Sequence, residues 1–211
     1  MLTRYHAAIT RKALVERFSP SALDAIVAAN LKQDNLLFGQ IGHDEYHFDN
    51  NAFDRGFAHI KSQRGLVHYA LENEDVASAL TAFGKLIHAA QDFYAHSNYV
   101  DLWLAQYDAH TPPTPPEIDP LIEEFINSPA LHSGKLYYPL EIFSYIPILK
   151  WFVTPLLPKD SHSNMNLDSP TRGVRFAYAF EAAVKKTMVE FDQTVAELST
   201  SQSVLFTGLS S

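Results

Sequence analysis

The stretch LIHAAQDFYAHSNYVDL, Leu86 to Leu102, decides how this chain is read. Its apolar residues belong in a helix packed against other helices. Yet it carries His88, Asp92 and His96 four residues apart, with Asp101 just beyond. Residues four apart share one helix face, so His88 and Asp92 can hold one metal ion together. His96 lies eight residues from His88, about 12 Å along the axis at ~1.5 Å per residue. One ion cannot comfortably take both histidines. A helix that uses all three therefore serves at least two ions, with Asp92 central, and two-metal hydrolytic sites place their ions roughly 3.5–4 Å apart. The plainer alternative is three polar residues on a partly solvated face. The flanking Leu-Ile, Ala-Ala, Phe-Tyr and Tyr-Val pairs argue against it, because charged side chains are rarely buried alone.

Outward from this stretch, most of the chain reads as helix. Thr3–Phe18 has apolar positions near helical spacing at Ala7, Ile9, Ala13, Leu14 and Phe18. A second helix runs from Ser19 to Phe38, with Ser19 as N-cap and Pro20 in the first turn. Gly39–Asn51 is polar and reads as a loop. Phe53–Leu71 is a third helix and Val76–Ala105 a long fourth, bent near Ser97. The Pro-rich segment at about 108–120 is a loop, and Leu121–Ser128 is a short helix. Phe143–Leu157 is apolar but broken by prolines. Thr171–Leu198 is a final amphipathic helix. No alternating strand pattern and no repeat is present, so the expectation is a single all-α domain over 1–211, an irregular helical bundle.

Composition narrows the chemistry. The chain has 211 residues, 46% of them hydrophobic, enough for one sizeable core. Its net charge is −8 and its pI about 5.6, with no basic stripe to suit duplex nucleic acid. With no cysteine, disulfides and thiolate zinc sites are excluded, and a metal must be held by His, Asp and Glu. The first residues form no signal peptide and no apolar run is long enough to span a bilayer. The expected location is cytoplasmic, or outside the cell by export without a leader.

Further ligand candidates are spread along the sequence. His43, Asp44, His47 and Asp49 crowd one loop, the kind of segment that carries sites on a rigid scaffold. There Asp44 and His47 are expected to bind metal, while Asp49 to Asn51 cap the next helix. His6 stands on the first helix. His132, and the late pair His162 and Asp168, are the remaining candidates. His59, His68 and His110 are assigned to structure or surface.

The order of these anchors resembles the bacterial zinc-dependent phospholipase C family. The run IHAAQDFYAHSNYVDL is more similar still to the related heterokaryon-incompatibility-C proteins, and HSNMNLDSP looks like a late motif of theirs. The resemblance implies an all-helical fold of the phospholipase C type and a cluster of two or three Zn2+ ions that hydrolyses phosphodiesters. Carried over, His6 serves one ion with Asp92. Asp44, His47, His88 and Asp92 hold another. His96 serves a third with a late histidine, and Asp44 is the general base or water-orienting carboxylate. Three departures stand out. The phospholipases use a processed N-terminal Trp as a ligand, where this sequence has Met1. Three residues, not five, separate Asp92 from His96. The His-then-Glu pair of the last site is missing, since Leu136 follows His132 and Asn166 follows His162 at that spacing. His162 with Asp168 is therefore preferred for that site, and His132 is the outside candidate.

The expected function is metal-assisted phosphodiester hydrolysis, with a phospholipid headgroup as the substrate the resemblance implies and transient contact with a membrane surface. Phe143–Leu157, with Trp151 and Phe152, is either a core segment or the contact for acyl chains. Three other readings compete. A His-Asp phosphohydrolase is suggested by His43-Asp44. A single-strand nuclease would need a cationic groove with stacking aromatics. A non-catalytic module would keep zinc for structure, interaction or membrane association, with no open coordination position.

Overall fold

A computed structural model describes residues 1–35, 42–144 and 147–209. It is all-α, and among the described residues there is no strand, only two isolated bridges, Ser97 with Ser133 and Lys135 with Ser161. The centre is α5, Val76–His96. Asp75 caps its start, accepting from the Ser78 amide at 3.0 Å. Its first turns leave Ser78, Thr81 and part of Lys85 to solvent, but every residue from Leu86 to Ser97 is buried. A helix of that kind must be surrounded. Around it pack α1 (Thr3–Leu14), α2 (Pro20–Leu31), α4 (Phe53–Glu72) and α11 (Arg175–Val195).

The local signals act as the sequence implies. Ser19 accepts from the Ala22 amide and Pro20 opens α2. The long fourth helix breaks at Ser97, whose backbone is extended and whose hydroxyl donates to the Phe93 carbonyl. The chain then continues as α6, Tyr99–Leu104. The Pro-rich segment is irregular apart from one 3-10 turn, Pro115–Glu117. It is pinned to the bundle by hydrogen bonds donated to its carbonyls: Tyr178 to Pro113, Lys185 to Ile118 and Tyr94 to Pro120. A short α7 comes next at Glu123–Ile126. Beyond the expected final helix, α12 (Thr200–Thr207) closes one end of the bundle, with Phe206 edge-on to Phe18 and Phe83.

Three segments depart from expectation. The second helix passes into a 3-10 turn at Lys32–Asp34, and residues 36–38 of the expected helix lie outside the described residues. The expected loop 39–51, of which 39–41 also lie outside them, contains a short α3, Asp44–His47, then a 3-10 turn at Asp49–Asn51. Its tight reversal uses the left-handed region at Phe48, Asn50 and Asn51 (φ 57°, 54° and 56°). The two asparagines tolerate that region, whereas Phe48 is held there by full burial against Phe57 and Phe93. The broken apolar run forms α8 (Leu140–Ser144) and α9 (Pro147–Val153), and much of it faces solvent instead of the core. A last short helix, α10, spans His162–Met165.

Close packing of α2 on α5 depends on Gly84. A Cβ there would come within 2.6 Å of the Ala29 Cβ and 2.7 Å of the Ile26 carbonyl oxygen. Gly65 in α4 has open space instead. Gly84→Ala should therefore lower the unfolding free energy by ~1–3 kcal/mol through overpacking. Gly65→Ala should raise it by ~0.4–1 kcal/mol by stiffening the unfolded chain. Urea unfolding of the two variants checks both signs.

Candidate metal centre

The centre is built on the last three turns of α5. Asp92 is fully buried, and its two carboxylate oxygens face different partners. Oδ1 lies 3.1 Å from His6 Nε2 and 3.7 Å from His96 Nε2. Oδ2 lies 2.8 Å from His47 Nδ1 and 3.1 Å from His88 Nε2. Four imidazoles from α1, α3 and α5 thus converge on one carboxylate. The His6 and His88 rings stack at 4.3 Å.

A buried polar network sets which ring nitrogen faces inward. His6 Nδ1 donates to the Gln91 side-chain oxygen at 2.7 Å, and His88 Nδ1 donates to the Asn30 side-chain oxygen at 3.1 Å. Asn30 and Gln91 are held in turn by each other, by Thr10 and by Thr187. His96 Nδ1 donates to the His47 carbonyl at 2.8 Å. In each ring one nitrogen is committed as donor, so in the neutral form, the one that binds a metal, Nε2 carries the lone pair; those of His6 and His88 face Asp92 at 3.1 Å, and that of His96 lies 3.7 Å from it. His6 Nε2 is buried without a hydrogen-bond partner, and so is Asp34 Oδ2. Lone pairs of imidazole and carboxylate 3.1 Å apart repel unless a cation lies between them. The donors fit a metal ion: His6, Asp34, His88 and Asp92 each bring one ligand atom to within 4.8 Å of the others.

A second group, Asp49, His96 and His162, meets the same 4.8 Å limit. His162 Nδ1 lies 2.7 Å from Asp49 Oδ1. His96 stands between the groups, because its Nε2 also lies 3.2 Å from Asp168 Oδ1. The Met1 ammonium is buried beside it, 2.5 Å from Asp92 Oδ1, 3.1 Å from His96 Nε2 and 3.2 Å from Asp168 Oδ1. Burial opposes that charge, but the Asp168 and Asp92 carboxylates outweigh it and raise the amine to about 11. The spot between these three side chains is strongly cation-stabilising.

The other titrations obey the same field. Burial works against the Asp92 anion, yet the ammonium, His96, His6 and His88 hold it well below the usual carboxylate range. Burial and the neighbouring His6 push His88 down to about 4. For His162 burial is again unfavourable, but Asp49 overrides it and lifts the ring to about 9.

Of the sequence-derived residues, His6, His47, His88, Asp92, His96, His162 and Asp168 meet in this centre. Asp44 does not. Its carboxylate lies 3.5 Å from Arg55 and joins neither group. His132 lies toward the surface and turns its ring to the Ala130 carbonyl. Asp101 pairs with Arg175 at the surface, 3.0 Å away. Asp49, expected as a cap, is instead a buried ligand candidate, because the left-handed turn at Asn50 and Asn51 swings it inward beneath His162. Asp34 gave no signal, since Gln33-Asp34 looks like the polar end of a helix. Asn30 and Gln91 were readable only as polar residues in apolar helices.

Gly134 joins the two halves of the centre. Its amide donates to the His96 carbonyl at 3.0 Å and its carbonyl accepts from the Asn50 amide at 2.9 Å. A Cβ at this position would lie 2.6 Å from the His162 Cα, so only glycine lets α10 come this close.

A family model, the VWA7 N-terminal domain, matches residues 3–111. The chain belongs to that family. This overturns the resemblance to zinc-dependent phospholipase C and heterokaryon-incompatibility-C proteins: the shared spacing along one helix is not family membership. The matched region carries His6, Asp34, His47, Asp49, His88, Asp92 and His96, while His162 and Asp168 lie beyond it. No curated protein and no solved structure matches the chain.

Asp92→Asn should weaken metal binding by more than ~100-fold, and Gln91→Ala, which frees the His6 ring, by ~10–100-fold. Metal content after equilibrium dialysis checks both. In the metal-free protein, His162 has a folded pKa raised above its unfolded value. Its stabilisation is full below about pH 6.5 and is lost as pH rises through about 9. Urea unfolding in chelator should show that loss, and Asp49→Asn should flatten it.

Proposed function

We propose that this member of the VWA7 N-terminal domain family is a metal-dependent hydrolase of phosphodiesters, with zinc as its metal. The observation that carries the reading is the divided carboxylate of Asp92. One oxygen faces His6 and His96, and the other faces His47 and His88. A carboxylate shared this way suits two neighbouring cations, and ions so placed supply Lewis acidity that lowers the pKa of a water to about 7 and offsets charge on a phosphoryl group. The donors are imidazole and carboxylate in a chain without cysteine, which favours zinc among common divalent ions.

In this reading Asp92 stands between the two ions and its oxygens do not map one to each: His6, Asp34 and His88 hold one ion with it, and Asp49, His96 and His162 hold the other, with Asp168 beside His96 and His96 Nε2 3.7 Å from Asp92 Oδ1. Gln91 and Asn30 keep the lone pairs of His6 and His88 turned inward. Asp34 and Asp168 are the carboxylates nearest solvent, with side chains 14% and 24% exposed. Asp34 Oδ2 has no hydrogen-bond partner, so it is the group placed to take the proton of an attacking water. The base role thus moves to Asp34 from Asp44, which Arg55 engages.

One observation favours a second reading. His6, His88 and Asp92 are completely buried, as in closed structural metal sites. Asp34→Asn separates the two. A catalytic centre should keep its fold and lose activity by ~100-fold or more even when excess Zn2+ restores its metal content, whereas a structural centre has no activity to lose. The assay uses bis(p-nitrophenyl) phosphate, a dinucleotide and phosphatidylcholine vesicles, with protein that has been loaded with Zn2+, stripped by chelator and reloaded. Hydrolysis that disappears on stripping and returns on reloading is expected. No hydrolysis of any of the three by zinc-loaded protein, or an unchanged rate after complete stripping, overturns the proposal.

A further inference from the structure

Two described stretches, 138–144 and 147–158, form a strap beside the metal centre, and the outer end of each is tied to α10. At the near end, the Glu141 carboxylate accepts from the Ser163 amide at 2.6 Å, and Tyr137 donates to Asp160 at 2.9 Å. At the far end, Asn164 donates to the carbonyls of Leu157 and Pro158, and Leu157 is buried. Between these anchors the strap shows apolar side chains to solvent. Ile148 is 76% exposed, Trp151 83%, Phe152 73% and Leu156 69%. Positions 148, 151 and 152 share one face of α9 by the three-and-four spacing. Tyr138, Leu140, Phe143 and Leu149 extend the patch. Trp and Phe side chains bury ~150–250 Å² each when covered, so this surface reaches the ~300–600 Å² scale at which apolar patches serve binding.

Charge identifies the occupant. The strap's one acid, Glu141, is buried against the Ser163 amide, and Asp160 past its far end pairs with Lys135; between these two the sequence holds Lys150 and Lys159 and no Asp or Glu, in a chain whose net charge is −8. Two copies meeting symmetrically would place this segment against itself, adding lysine to lysine, with Glu141 buried and Asp160 already paired. An anionic lipid surface complements both features: Trp and Tyr with aliphatic residues in one patch, and two lysines with no exposed acid between the anchors. No described helix is long and apolar enough to cross a membrane, so the contact is a shallow one.

We infer that the α8–α9 strap is a membrane-docking surface, seating the protein on an anionic phospholipid bilayer with the His162 side of the metal centre toward the lipid. Docking does not depend on catalysis, so it stands or falls apart from the hydrolase reading.

The test exploits the two tryptophans, since Trp103 is buried and Trp151 is the exposed one. The protein, residues 1–211, is mixed with vesicles of phosphatidylcholine containing roughly one-third phosphatidylserine. Co-flotation with the vesicles and a blue shift of the exposed tryptophan's emission are expected, both weakened by added salt. Ile148→Ser with Phe152→Ser, which leave Trp151 as the reporter, should cut vesicle affinity at least ~tenfold. Tyr69→Ser, an exposed apolar residue on α4, should leave it unchanged. Absence of flotation, or flotation insensitive to the double substitution, overturns the inference. A blue shift that grows with protein concentration in the absence of vesicles overturns it in favour of a second copy.

Discussion

The structure depends on one fully buried carboxylate shared among four imidazoles. Asp92 sits on the last turns of a helix that are buried on every side, where an isolated charge is costly. Burial alone would keep it protonated. The positive groups around it reverse that and hold it ionised. Three elements position the rings: α1 brings His6, α3 brings His47, and α5 itself carries His88 and His96. The bundle is therefore arranged around the charge, and the Asn30–Gln91–Thr10–Thr187 network is the layer that converts helix packing into ring orientation.

Spacing made part of this legible in the sequence. The four-residue steps of His88, Asp92 and His96 put the three on one face of a helix, and the break at Ser97 was visible in the polar run beyond it. The all-α class came from helical periodicity and the absence of alternation. The 12 Å separation of the two histidines along the helix, at ~1.5 Å per residue, also held a real constraint. Their rings approach the carboxylate from opposite sides through different oxygens.

The illegible part depends on backbone conformation that no periodicity announces. Asp49 looked like a cap because Asp-Asn-Asn commonly caps helices. Its burial comes from two asparagines in the left-handed region and from their hydrogen bonds to Ser133 and Leu136, more than eighty positions away. Asp34 became a ligand candidate because α2 tightens into a 3-10 turn at its end, which turns one carboxylate oxygen inward. Asp44, at the opposite end of the same short helix from His47, faces outward and meets Arg55. The strap was ambiguous for a different reason: apolar sequence reports a need for cover and does not say whether the protein or something else supplies it.

The candidate ligands span nearly the whole chain, from His6 to Asp168, and this has an energetic consequence. In the unfolded chain these groups are dispersed, so no comparable site exists there. Cation binding is then coupled to folding, and any ion held by the centre stabilises the native state by mass action. The coupling is uneven. The matched family region supplies the ligands on α1, α3 and α5, while His162 and Asp168 arrive on a later segment held by Gly134, Leu167 and Arg172. The Leu167 amide donates to the Ala95 carbonyl at 2.7 Å, next to His96. An ion in the second group therefore does more than fill a ligand set. It would tie the C-terminal half of the chain, with the exposed strap that α10 anchors, onto the end of the central helix.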